Sequence, residues 1–289
     1  MIPKIEFEKV SKTFGVKDRG KLASKSSRFT ALNDVSFQVQ AGEFLVIVGP
    51  SGCGKSTLLD LLAGLTKPCS GQILLDGKPI GGPAMDRGIV FQQYALFPWR
   101  TALENVAFGL EVKGIAEKQR REIAQRYLSL VGLDGFEHRH PHELSGGMKQ
   151  RVAIARSLAY DPEVLMMDEP FAALDAQTRE TLQGELVRIW KASKKTIIFI
   201  THGIDEAVAL GQRVAIMTSR PGRIKTVIEV PEALRQSDDV RSHLDFPLVR
   251  QEIWSVLREE VQRAQEQERR SQLGRSGASI PPAGAVAHG

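Results

Sequence analysis

The stretch "EFLVIVGPSGCGKSTLLDLLAGL" constrains this chain more than any other. An apolar run ends in a glycine-rich loop that opens an apolar helix-former run, and Gly49, Gly54, Lys55 and Ser56 satisfy the spacing G-x-x-x-x-G-K-[ST]. Strand, loop and helix in that order let bare backbone N–H groups curl around a β-phosphate. Lys55 then reaches the β- and γ-phosphates, and the Ser56 hydroxyl becomes a Mg²⁺ ligand. The candidate nucleotide-binding set is the whole loop: Gly49, Pro50, Ser51, Gly52, Cys53, Gly54, Lys55, Ser56 and Thr57.

Such a loop needs a carboxylate at a neighbouring strand end. "VLMMDEP" supplies it: four apolar residues are followed by Asp168 and Glu169, at the edge where α/β sheets bind ligands. Asp168 is expected to hold Mg²⁺ through water, and Glu169 to act on an attacking water as general base or orienter. "LSGGMKQR" offers a second anion-seeking helix start at Ser145, Gly146 and Gly147, although no lysine or metal ligand accompanies it.

The rest of the chain fits a mixed α/β protein. "KIEFEKV", "DVSFQV", "EFLVIVG" and "GQILLD" read as strands. Between 101 and 131, Ile123, Tyr127, Leu130 and Val131 recur at helical spacing, and "PEVLMMD" and "KTIIFI" return to the alternation of a parallel sheet. Gly15 to Arg28 is polar and basic, the composition of a flexible surface insertion. Val249, Ile253, Trp254, Leu257 and Val261 predict a helix docked on the body, and from Ala264 the polar, Gly- and Pro-containing tail is expected to be disordered.

No run of about 18 apolar residues occurs. The 39 Lys and Arg exceed the 34 Asp and Glu by only five and are spread along the chain, which does not suggest nucleic-acid binding. Cys53 and Cys69 lack metal-ligand spacing; with Cys53 inside the loop, its thiol is expected to lie beside phosphate. His138, His140 and His142 alternate, but Pro141 interrupts them, and a solvated connector is the preferred reading over a zinc site.

Taken in order, these motifs resemble the ATP-binding subunit of an ABC (ATP-binding cassette) transporter, over about residues 3 to 230. "GPSGCGKST" resembles Walker A, "IVFQQYALFPWR" the Q-loop, "LSGGMKQR" the signature, "VLMMDEP" Walker B, "AALD" the D-loop and "ITHGIDEA" the switch-histidine segment. The resemblance implies a P-loop cassette with a parallel-sheet core, an N-terminal antiparallel β-subdomain and a helical insert at about 95–160. A helical extension (231–263) and the tail (264–289) would follow.

It further implies an ATPase using ATP and Mg²⁺. Two copies would pack head to tail, Ser145, Gly146 and Gly147 of one covering the γ-phosphate held by the other. Asp175 would reach across that dimer, and by its position it also suits the N-cap of a helix beginning near Gln177; the two roles are compatible. Phe14 would stack on adenine, Gln92 would complete the Mg²⁺ shell and sense the γ-phosphate, and His202 would hold the attacking water with Glu169. Gly203 departs from the Asp usual after that histidine.

"PWRTALENVAFGL" most resembles the nitrate, taurine and alkanesulfonate importers. Those work at the cytoplasmic face of the inner membrane as homodimers beneath integral-membrane permease subunits, indirectly served by a solute-binding protein. The competing class is a soluble ABC ATPase acting on ribosomes or nucleic acid, which usually carries two cassettes or a long coiled coil; neither is visible here.

Overall fold

The computed structural model describes residues 2–16, 27–172, 174–237 and 239–276. The elements run β1 (Ile5–Val16), β2 (Ser27–Val39), β3 (Phe44–Val48), α1 (Lys55–Leu62), β4 (Ser70–Leu75), β5 (Lys78–Pro79), β6 (Arg87–Val90), α2 (Ala102–Val112), α3 (Glu117–Leu130), α4 (Gly146–Ala159), β7 (Val164–Asp168), α5 (Ala176–Ser193), β8 (Thr196–Ile200), α6 (Ile204–Leu210), β9 (Arg213–Met217), β10 (Ile224–Glu229), α7 (Glu232–Gln236) and α8 (Phe246–Ser276).

Two sheets organise them. A six-stranded sheet in the order β10-β9-β3-β8-β7-β6 is parallel except for the edge strand β10, and an antiparallel sheet runs β2-β1-β4-β5. The central strands are apolar throughout because both faces are covered, and their side chains alternate between two cores. Leu45, Ile47, Met166, Ile198 and Ile200 face α1 and the antiparallel sheet. Phe44, Val46, Met167, Ile197 and Phe199 face the helices of the insert, α5 and α8.

Helices α2, α3 and α4 pack against one another. The start of α2 is fixed locally by a capping box: Thr101 Oγ1 accepts from Glu104 N at 3.2 Å, and Thr101 N donates to Glu104 Oε2 at 2.8 Å.

Two boundary expectations need correction. Gly15, Val16, Ser27 and Arg28 belong to the β1–β2 hairpin, pairing Gly15↔Arg28 and Val16↔Ser27, because backbone hydrogen bonds extend the ladder whatever the side-chain polarity; the rest of the expected insertion, 17–26, lies outside the described residues. The tail does not begin at Ala264: α8 continues to Ser276. "QEQERRSQ" is made largely of strong helix formers, and propagation from a docked helix costs little. Residues 277–289 lie outside the described residues.

Helix α8 docks through Val249, Ile253 and Leu257, all buried, while Trp254 is 39% exposed. No helix among the described residues is long and apolar enough to cross a membrane.

Candidate functional site

The parallel register gathers residues far apart in sequence onto one edge. Strands β3, β8, β7 and β6 are neighbours, and at their carboxyl ends stand the phosphate loop, His202, Asp168 with Glu169, and Gln92. Lys55 is 5% exposed, and its Nζ donates to the carbonyls of Gly49 (2.8 Å) and Pro50 (3.1 Å). It has no ion pair among the described residues. Helix α1 has neither a side-chain N-cap nor an acidic residue in its first turn, so its leading N–H groups remain for an anion.

Gly52 and Gly54 have φ of 67° and 109°, left-handed backbone that a side chain would strain. Cys53 corrects an expectation. Its side chain is 1% exposed in the core beneath the loop, not beside phosphate, and burial pushes its thiol up against the pull of Lys55. A loop that aims alternate peptide groups at a ligand turns the intervening side chain inward; what Cys53 can offer a phosphate is its backbone N–H.

Directly after β7, Glu169 takes φ 48° and its N–H donates to the Ile200 carbonyl at 3.0 Å, pinning the turn to β8. Non-glycine residues pay strain there, and such strain concentrates at sites where geometry matters. Glu169 Oε1 lies 2.5 Å from His202 Nε2. The carboxylate is mostly covered (17% exposed) and the imidazole is open (46%). That pair sets a carboxylate acceptor and an imidazole side by side, so that one water could contact both from the open side.

Asp168 makes no ion pair among the described residues. Asp60, on α1, is pushed up first by burial and then by the negative charge of Asp168. Asp168 shares its strand edge with the exposed Ser56 and Gln92, and a carboxylate, a hydroxyl and an amide oxygen are hard donors suited to a divalent cation such as Mg²⁺.

The other expected residues lie elsewhere. Ser145 caps α4, its Oγ accepting from Met148 N at 3.3 Å, and Ser145, Gly146 and Gly147 share an open cleft of about 380 Å³ with Leu174, Asp175 and Thr178. No phosphate-loop residue lines that cleft. Asp175 caps α5 by accepting from Thr178 N at 2.9 Å, which holds its carboxyl below the usual range. Phe14 stands near the end of β1 opposite Phe29, 41% exposed, with Lys12 Nζ 5.2 Å from its ring centroid. The rings of His140 and His142 stack at 5.8 Å, and no group of three potential metal ligands occurs among the described residues.

A family model described as "ABC transporter" matches residues 32–172. Over 235 residues the chain is 54% identical to an uncharacterized ABC transporter ATP-binding protein of Methanocaldococcus jannaschii, covering 81% of this chain and 87% of that one. The chain belongs to the ABC transporter family. It is also similar to the taurine import ATP-binding protein of Roseobacter denitrificans (48% identity; 78% of this chain, 86% of that one). The nitrate import ATP-binding protein of Synechocystis is 52% identical (71% and 77%).

A dimeric ATP-binding cassette in a post-hydrolysis state, bound to ADP and Pi, matches with TM-score 0.68 and 32% identity, over 78% of this chain and 99% of that one. As an ABC cassette the chain binds ATP, and its activity is ATP hydrolysis coupled to transport.

The structure adds residues around the cassette motifs that sequence reasoning missed. Arg241 Nη2 donates to Gln183 Oε1 (2.9 Å), Gln183 Nε2 to Glu206 Oε1 (2.8 Å), Thr201 Oγ1 to Glu206, and Gly203 N to Thr201 Oγ1 (2.9 Å). This chain of bonds fixes the turn that carries His202. Its members come from three separate segments, around 183, 201–206 and 241, and no local pattern announces them.

Proposed function

We propose that the chain is the ATP-hydrolysing subunit of an importer for a small solute of the nitrate, taurine and alkanesulfonate class. It works as a homodimer at the cytoplasmic face of the inner membrane, beneath integral-membrane permease subunits that receive solute from a binding protein. The relatives named for taurine and nitrate import support the solute class, and the dimeric cassette supports the assembly. The observation that carries the reading is the Glu169–His202 pair, 2.5 Å apart at the strand edge that also bears the phosphate loop.

In this reading the N–H groups from Ser51 to Thr57 bind the β-phosphate and Lys55 the β- and γ-phosphates, while Phe14 stacks on adenine. Ser56, Gln92 and Asp168 would hold Mg²⁺, which would neutralise charge on the triphosphate. Glu169 accepts a proton from the attacking water, and His202 keeps that water and the γ-phosphate in line. Ser145, Gly146 and Gly147 of the second copy close the γ-phosphate side, with Asp175 at the dimer seam. ATP is then shared between two surfaces, so its hydrolysis releases them and the motion drives the permease.

Glu169→Gln keeps the shape of the side chain and removes the base. With ATP and Mg²⁺ the purified variant should form a stable dimer by size-exclusion chromatography with light scattering; a monomer at saturating ATP overturns the shared site. The same variant, used as bait in detergent-solubilised membranes, should retain a polytopic permease. Recovery of ribosomal proteins or nucleic acid alone would end the importer reading and leave the ATPase intact.

A further inference from the structure

After β9 the chain turns through Thr218–Arg223, and this turn touches the phosphate loop. Arg220 Nε donates to the Gly52 carbonyl at 2.7 Å, and a Cβ on Gly222 would stand 2.1 Å from the Cys53 carbonyl oxygen. Gly222 also exchanges hydrogen bonds with β2, donating to Ala31 O (2.9 Å) and accepting from Asn33 N (3.0 Å). The Arg220 guanidinium lies 4.7 Å from the ring centroid of Phe29, the residue opposite Phe14.

The far side of the turn is held by α8. Glu260 is 1% exposed and accepts from Ser219 N (2.8 Å) and Ser219 Oγ (3.2 Å), while Lys225 Nζ (3.0 Å) and Arg263 Nη1 (2.9 Å) pair with its other oxygen. Gln267 Nε2 reaches the Arg220 carbonyl at 3.2 Å. A buried carboxylate is strongly destabilising if it loses a partner, so this one holds Ser219 in place.

Peptide geometry carries the effect into the loop. In a trans peptide the C=O and the following N–H point in opposite directions. Anchoring the Gly52 carbonyl on Arg220 therefore turns the Cys53 N–H to the other side of the chain, where its partner is Pro50 O at 3.3 Å, a long bond that an anion can replace.

We propose that Arg220 is a positioning residue for the phosphate loop, and that α8 sets its place through Glu260 and Ser219. The C-terminal helix is then part of the ATP-binding apparatus rather than a passive addition. This rests on the reading that Gly49–Thr57 holds the phosphates of ATP.

The test uses the full-length protein with ATP and Mg²⁺. Arg220→Ala should raise the KM for ATP about tenfold, the effect of one charge-assisted hydrogen bond, with Arg220→Lys recovering part of it. kcat should stay within about twofold, since the interaction is made equally before and during reaction. Glu260→Ala should raise KM in the same direction although it makes no hydrogen bond to the loop, and melting temperatures recorded alongside show whether each variant is folded.

Wild-type KM for Arg220→Ala, or a fall in kcat at unchanged KM, overturns the assignment of Arg220. A lowered melting temperature with wild-type KM for Glu260→Ala overturns the role of α8. Lys55→Ala serves as the reference: if it loses ATP affinity while Arg220→Ala does not, the inference alone fails. If Lys55→Ala keeps ATP affinity, the phosphate-loop reading fails with it.

Discussion

Lys55 is a buried cation whose only partners among the described residues are two carbonyls of its own loop, at 2.8 and 3.1 Å. Carbonyl dipoles position an ammonium but do not neutralise it, so the loop retains a full positive charge waiting for a counter-ion. A triphosphate supplies one, and its charge grows at the γ-phosphoryl oxygens as the bond breaks. Lys55→Ala should therefore reduce ATP turnover by about a hundredfold or more, as expected when a donor to developing charge is lost. Phosphate release from the purified variant measures this, and wild-type turnover would sink the assignment. Lys55 was legible from spacing because backbone geometry fixes where a lysine after Gly54 must go. The orientation of the Cys53 side chain was not, because it depends on the cavity that Gly49 leaves: a Cβ there would lie 2.9 Å from the Cys53 sulfur.

Among elements, α8 shows where local reading stops. Its docking stripe of Val249, Ile253 and Leu257 was visible as period and is buried. Glu260 was not, since on that stripe a glutamate looks like an ordinary polar position; only the fold brings Ser219 and Lys225 to it. Burial pushes its carboxyl up, but the donors from Ser219 and Lys225 outweigh that and hold it below the usual value, with Arg263 adding charge and Glu259 opposing it nearby. A carboxyl lowered on folding stabilises the fold fully above its unfolded pKa, about 4.3, and loses that contribution as pH falls through the folded value. Wild-type protein should thus melt above Glu260→Gln at pH 7, and the gap should close progressively in acid below about pH 4. Melting temperature against pH for both proteins checks the sign. A gap that widens in acid would mean that Glu260 is protonated in the fold.

At the scale of the molecule, the one-edge gathering of β3, β6, β7 and β8 completes half a site. The parallel order was legible from alternating apolar strands and helices, but nothing local says that Ser145–Gly147 lie away from the phosphate loop, in a cleft shared with Asp175 and Thr178. In the proposed dimer the second copy closes the γ-phosphate, which makes two sites, each from one chain's Lys55 and the other's Ser145. Complementation separates this from a self-sufficient subunit. Lys55→Ala and Ser145→Arg should each be inactive alone. Unfolded together and refolded as a mixture, they form mixed dimers in which one site carries both lesions and the other carries neither. With random pairing half the dimers are mixed, so turnover should rise to about a quarter of wild type if sites act independently, and to a smaller but clear fraction if they are coupled. Activity that stays at the level of the parents would place both residues in the same site of one chain, and head-to-tail sharing of ATP would have to be abandoned.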